Sequence, residues 1–144
     1  MRTLRQLISR LNLISAEPDA MVFDVAYAMS EARIGAIPII EGERLVGIFS
    51  ERDLMTRVVV AGRDARATRV ADVMTHEVIT AGLDENVDRC LQKMQRAGCR
   101  HLPVVHDGRV MSMLSMRDLL RDEIEEQGEE IRHLRAYIQQ SPPA

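Results

Sequence analysis

At 144 residues the chain can form one compact domain that buries roughly 68–70% of its unfolded surface, and two independent domains would be cramped. Aromatics make up only 3% and Trp is absent, so the core is aliphatic and methionine-rich, and exposed rings for stacking single-stranded nucleic acid are excluded. A formal net charge of -3 removes the electrostatic case for a phosphate backbone, and no apolar run approaches the ~20 residues of a membrane span.

The first sixteen residues carry Arg2, Arg5 and Arg10 without an acid, faintly like an organelle transit peptide. However, "TLRQLI" at Thr3–Ile8 matches the pattern of "RVADVM" at Arg69–Met74, which gives it a structural role instead. From Ser15 the chain repeats itself. Ser15–Leu54 aligns with Thr80–Leu119 at a constant offset of 65, with 11 of 40 positions identical. Ordinary amino-acid usage gives about two or three.

Both copies read alike in chain order. A short strand is expected near Ile14 and near Ile79. Asp19 and Asp84 then read as helix N-caps. The helical faces are Val22, Val25, Ala26 and Met29, and again Val87, Cys90, Leu91 and Met94, at the i, i+3, i+4, i+7 spacing. "IPII" (Ile37–Ile40) and "LPVV" (Leu102–Val105) read as buried strands, with Pro38 and Pro103 suited to strand starts or edges. Gly-bearing turns at Glu41–Arg44 and His106–Arg109 lead into second strands at Leu45–Phe49 and Val110–Leu114. Helices begin at Ser50 and Ser115.

Each unit is therefore β-α-β-β-α and marginal by itself. The expected fold is α/β, with two such repeats packed sheet to sheet about a pseudo-two-fold axis. Repeat 1 spans 3–61 and repeat 2 spans 67–123. A helical extension at 124–140 continues the last helix as a candidate dimer seam, and 141–144 form a frayed tail. Leu120, Ile124, Gln127, Ile131, Leu134 and Ile138 are spaced 4, 3, 4, 3, 4, which is a heptad seam with one polar member. Gly128 weakens it by the ~1 kcal/mol helix penalty of glycine.

Each copy ends in a Ser-x-x-Asp corner, Ser50–Asp53 and Ser115–Asp118. The pattern is close to a capping box, and a helix start explains both residues. The same corner also suits a nucleoside. Unpaired helix N–H groups attract phosphate, and a carboxylate accepts hydrogen bonds from vicinal ribose hydroxyls. Residue pattern leaves both readings open. Cys90 and Cys99 form neither a disulfide framework nor a metal-spaced pair, which fits a reduced, cytoplasmic setting. His76, His101, His106 and His133 show no paired ligand spacing, so no metal is expected.

A duplicated β-α-β-β-α unit with "h-P-h-h", an acidic or glycine turn and then "G-h-h-S-x-x-D" (h, hydrophobic) resembles the CBS (cystathionine β-synthase) domain. Two in tandem resemble a Bateman module, here over residues 3–123. The resemblance implies that Asp53 with Ser50, and Asp118 with Ser115, face the ribose and phosphate of an adenine nucleotide. It implies an adenine held at Ser15, Ala16, Ala36, Ile37 and Pro38, and in the second copy at Thr80, Ala81, His101, Leu102 and Pro103. Arg100 and His101 are the implied phosphate partners, with Arg52 and Arg117 as weaker candidates.

Gly35 and Ala36 stand in the first copy where Arg100 and His101 stand in the second, so unequal sites are expected. Ser112 departs from the family's glycine, which bears on close strand packing there. The implied function is a regulatory module, with no catalysis and no required cofactor. It would sense AMP, ATP, NAD or S-adenosylmethionine, associate as a homodimer and signal to a protein target. A ligand-independent interaction module is the alternative.

Overall fold

The computed structural model describes residues 2–8 and 13–140, so the tail expected at 141–144 lies outside the described residues. A short helix, α1 (Leu4–Ile8), leads into repeat 1. There α2 (Val22–Ala32) is followed by the hairpin β1 (Ala36–Glu41) and β2 (Arg44–Ser50). A turn of helix, α3 (Glu51–Asp53), then widens into a π-helical stretch at Leu54–Val59. After a 3-10 turn at Val70–Asp72, repeat 2 runs β3 (Ala81–Gly82), α4 (Val87–Ala97), β4 (His101–His106), β5 (Arg109–Ser115) and α5 (Met116–Gln140). No helix among the described residues is long and apolar enough to cross a membrane.

The hairpins obey the repeat to the residue. Ala36 pairs with Ser50 and His101 with Ser115, and the register shifts between Ile39 and Ile40 and again between Val104 and Val105. A bulge at the same offset in both copies is a property of the unit, not an accident of one strand. The leading strands are thinner than expected and lie about two residues later. β3 runs parallel to β4 for two residues, and its counterpart in repeat 1 is a single bridge from Ala16 to Ile39. That bridge is held by Ala16 N–H to Pro38 O at 3.1 Å and Ile40 N–H to Ala16 O at 2.9 Å. Pro38 thus turns its missing N–H toward this sparsely paired edge, where its cost is low.

The helix starts correct one reading. Asp19 and Asp84 are not caps. α2 begins at Val22 after an extended Met21 that makes no side-chain cap bond, and α4 is capped by Asn86, whose side chain accepts from the Arg89 N–H. The reason is tertiary. Met21 and Asn86 are held extended by bridges to Arg69 and Thr3, which delays the helical turn. The first N–H groups of α2 then bond Thr68 O and Ala65 O, at 2.9 Å each, so the carbonyls of a neighbouring loop replace an aspartate cap.

Two apolar clusters result, and each borrows from the other half of the chain. Leu4, fully buried, belongs with Ala81, Leu83, Val87, Met94, Leu102 and Leu114 of repeat 2. Val70, Val73 and Met74, which lead into repeat 2, complete the core of Val22, Val25, Met29, Ile37, Ile39 and Phe49 in repeat 1. Backbone bonds seal the exchange. Leu4 and Arg5 donate to Glu85 O and Leu83 O, and Val70 and Ala71 donate to Ala20 O and Pro18 O. The repeats then meet where β5 lies against β1 and β2.

Candidate functional site

The first corner is a complete capping box. Asp53 N–H bonds Ser50 Oγ at 3.2 Å, and Asp53 Oδ2 accepts from Ser50 N–H at 3.0 Å and from Ser50 Oγ at 3.1 Å. The carboxylate has further partners. Thr75 Oγ1 lies 3.2 Å from Oδ1, and Arg57 Nε lies 3.7 Å from it, one helical turn on. Asp53 is consequently only 7% exposed. Arg57 also donates to the carbonyl oxygen of Met74 at 2.8 Å, so it ties the corner to the borrowed segment.

The second corner repeats only the box. Ser115 N–H donates to Asp118 Oδ2 at 3.1 Å, and Asp118 N–H to Ser115 Oγ at 3.0 Å. In the position of Arg57 stands Asp122, which is buried and bonds Arg2 at 2.7 Å. The local carboxylate–guanidinium pair of repeat 1 thus has no equivalent at this position in repeat 2. Both corners hold their helix start in one way. Glu51 N–H donates to Gly35 O at 3.0 Å, and Met116 N–H donates to Arg100 O at 2.7 Å.

Between the repeats lies a cleft of about 900 Å³. Repeat 1 supplies Gly35, Ala36, the corner Ser50–Asp53, Thr56 and Arg57, the last two carried on the π-helical stretch. The other wall comes from Thr75, Glu77, Val78 and Ile79 and from the end of α4 through Cys99, Arg100 and His101. A Cβ on Gly35 would stand 3.3 Å from the His101 ring, so the imidazole packs against that wall. Burial pushes the His101 pKa below its ordinary value, and Arg100 adds to this. Glu51 and Asp118 act in the opposite direction. The cleft therefore combines one apolar patch with a buried carboxylate and a set of cations drawn from both repeats.

Of the residues singled out from the sequence, Ala36, Ser50, Arg52, Asp53, Arg100 and His101 line this cleft together. Ile37, Pro38, Leu102 and Pro103 are buried in β1 and β4, so only their backbone is available to a ligand. Ser15 is exposed, Ala16 forms the bridge to Ile39, and Ala81 is buried in β3. Thr80 O accepts from Lys93 Nζ at 3.0 Å. Ser115, Arg117 and Asp118 stand at the second corner and are not among the residues that line the cleft, although Ser115 pairs with His101 across β4 and β5. Sequence reasoning missed Arg57, Thr56, Thr75, Val78 and Ile79. The i+4 spacing from Asp53 could have found Arg57. Thr75 left no local signal, because it arrives through the exchange.

The family model for the CBS domain matches residues 4–60 and 70–125. A mitochondrial CBS domain-containing protein of Arabidopsis thaliana, CBSX3, is 36% identical over 126 residues, covering 84% of this chain and 61% of its own. The chain thus spans about 60% of the length of that relative. A protein with CBS domains from Burkholderia ambifaria superposes with a TM-score of 0.82 at 30% identity, covering 88% of this chain and 96% of its own. The CBS pair of MJ0100, solved with 5-methylthioadenosine and S-adenosyl-L-methionine, superposes with a TM-score of 0.77 at 26% identity, over 88% of this chain and 98% of its own.

Proposed function

The chain belongs to the CBS domain family, and from that premise we propose that it is a regulatory module, not a catalyst, that takes an adenosine-containing ligand in the cleft between its repeats. The observation that carries this reading is the buried Asp53 carboxylate, set at the helix start of one repeat on the same cleft as Arg100 and His101 of the other. Ribose hydroxyls would displace Thr75 Oγ1 and donate charge-assisted bonds to the Asp53 carboxylate in its place. Ala36, Val78 and Ile79 offer the apolar patch for adenine, Arg52, Arg57 and Arg100 offer charge for a phosphate, and the His101 imidazole offers it a hydrogen-bond donor.

A ligand spanning both walls binds one relative placement of the repeats better than another. It can therefore shift their arrangement by its differential affinity, and a protein target can read that shift. The MJ0100 pair, with its two adenosine-containing ligands, supports this choice of chemistry. AMP, ATP, NAD and S-adenosylmethionine are the ligands to compare. The second corner, Ser115–Asp118 with Arg117, is proposed as a weaker site because Asp122 replaces Arg57 there. The module works as a cytoplasmic homodimer. A ligand-independent dimerisation module is the second reading, favoured by the exposed apolar seam of α5.

Calorimetric titration separates them. The parent is expected to bind at least one of the four ligands, and Asp53→Asn to weaken it by about tenfold or more, since a neutral amide forfeits the charge-assisted bonds. Asp118→Asn reports on the second corner in the same way. Heat indistinguishable from buffer for all four ligands would reduce the corners to caps. Binding unchanged in both variants would put the ligand elsewhere.

A further inference from the structure

α5 extends far beyond the repeat it closes, from Met116 to Gln140. Along it Leu120, Ile124, Ile131, Leu134 and Ile138 are 47, 69, 49, 58 and 70% exposed, a stripe of large apolar side chains left in water. The back of the helix is engaged. Arg2 bonds Asp122 at 2.7 Å and Glu129 at 3.3 Å, two acids seven residues apart. If Leu120, Gln127 and Leu134 are heptad d positions and Ile124, Ile131 and Ile138 are a positions, both acids fall at f, the position farthest from the seam. The module therefore grips the rear of α5 and turns the seam outward.

The side chains on that seam specify both number and direction. β-branched residues at a with Leu at d favour two parallel strands; here all three a positions are Ile and two of three d positions are Leu. In a parallel pair a g residue meets the e residue five places further along the partner, so Glu130 meets Arg135 of the second copy, twice by symmetry. An antiparallel pair with the same apolar layers would set Glu130 against Glu130 and Arg121 against Arg135, like against like. We propose that residues 120–138 form a parallel two-stranded coiled coil with the same helix of a second copy, with Gln127 opposite its twin to hold the register. This deepens the homodimer of the proposed function. Nucleotide binding plays no part in it. Both modules then stand at one end of the coil, so a target meets two clefts together.

Sedimentation of the full chain tests the inference. The parent should show the mass of two chains. Ile131→Glu, at an exposed position, should raise the dissociation constant at least about tenfold by placing a charge in the seam, with unchanged helical circular dichroism. Ile138→Glu serves the same purpose if that first variant loses helix. Glu130→Arg should weaken the dimer about fivefold, and adding Arg135→Glu should restore it.

A parent that stays monomeric at tens of micromolar overturns this inference and the homodimer alike. A dimer indifferent to both glutamate variants overturns only the coiled coil, because the copies then meet elsewhere. Three or four chains would overturn the two-stranded form. Indifference to Glu130→Arg would overturn the parallel direction, since in an antiparallel pair like charges face each other before and after the change.

Discussion

His101 is half-buried where the two repeats face each other, with the Gly35 wall on one side and Glu51 and Asp118 within electrostatic reach. Burial disfavours its charged form, so the ring is neutral at pH 7 and takes a proton only below its usual range. Because the folded pKa is depressed, the unfolded chain binds the proton first. The contribution of His101 to stability is thus intact above about pH 6.5 and is lost as pH falls from there through the folded value. A phosphate in the cleft would act in the other direction, because a neighbouring anion favours imidazolium. The His101 ring resonance, followed by NMR as pH is lowered, should therefore titrate at higher pH with saturating AMP than without it. An unmoved titration would mean that the phosphate does not reach this wall. Cys90 behaves differently. It is fully buried, its thiol is pushed up to about 11, and its role is that of a small apolar side chain.

Among the elements, β2 shows how the two copies diverge under the same template. A Cβ on Gly47 would lie 2.5 Å from Met74 Sδ and 2.9 Å from Thr75 O. Thr75 cannot withdraw, since its backbone exchanges two hydrogen bonds with Ile48, at 2.9 and 2.8 Å. Gly47→Ala should accordingly cost about 1–3 kcal/mol by overpacking, seen as a lower melting temperature. The matching position in β5 is Ser112, fully buried, with a hydroxyl that makes no hydrogen bond. Ser112→Ala removes an unsatisfied polar group and is expected to leave stability unchanged or to raise it. Equal melting temperatures for Gly47→Ala and the parent would contradict the close approach.

At the scale of the whole molecule, the exchanged leading segments make one cooperative body from two similar halves. Repeat 2 needs Leu4, which lies far away in sequence, while Val70, Val73 and Met74 serve repeat 1. A fragment of residues 67–123 would therefore lack part of its own core and would carry another's apolar side chains in water. It is expected to be unfolded or aggregated by circular dichroism and light scattering, whereas the full chain unfolds in a single transition. Within the full chain Leu4→Ala should cost about 2–5 kcal/mol, the usual range for emptying a fully buried leucine site. A folded, monomeric 67–123 would contradict this account.

The amino-acid sequence by itself determined what depends on local period. Val22, Val25 and Met29, with Val87, Cys90 and Met94, announced two helices by spacing, and all six are buried. The alternating hairpins and their Gly-bearing turns were as legible, because strand period and turn chemistry are properties of a few consecutive residues. The family, and with it the sheet-to-sheet pairing, followed from the duplicated pattern. Only the tertiary structure decided which half owns Thr3–Ile8 and Arg69–Met74. The two segments are alike in pattern, so apolar spacing could not assign them to a core. It also decided that Asp19 caps nothing, that Thr75 and Arg57 surround Asp53, and that Arg100 and His101 line the cleft of the first corner. Each of these depends on contacts between residues distant in the chain, and a sequence pattern records what a residue is without recording what will arrive beside it.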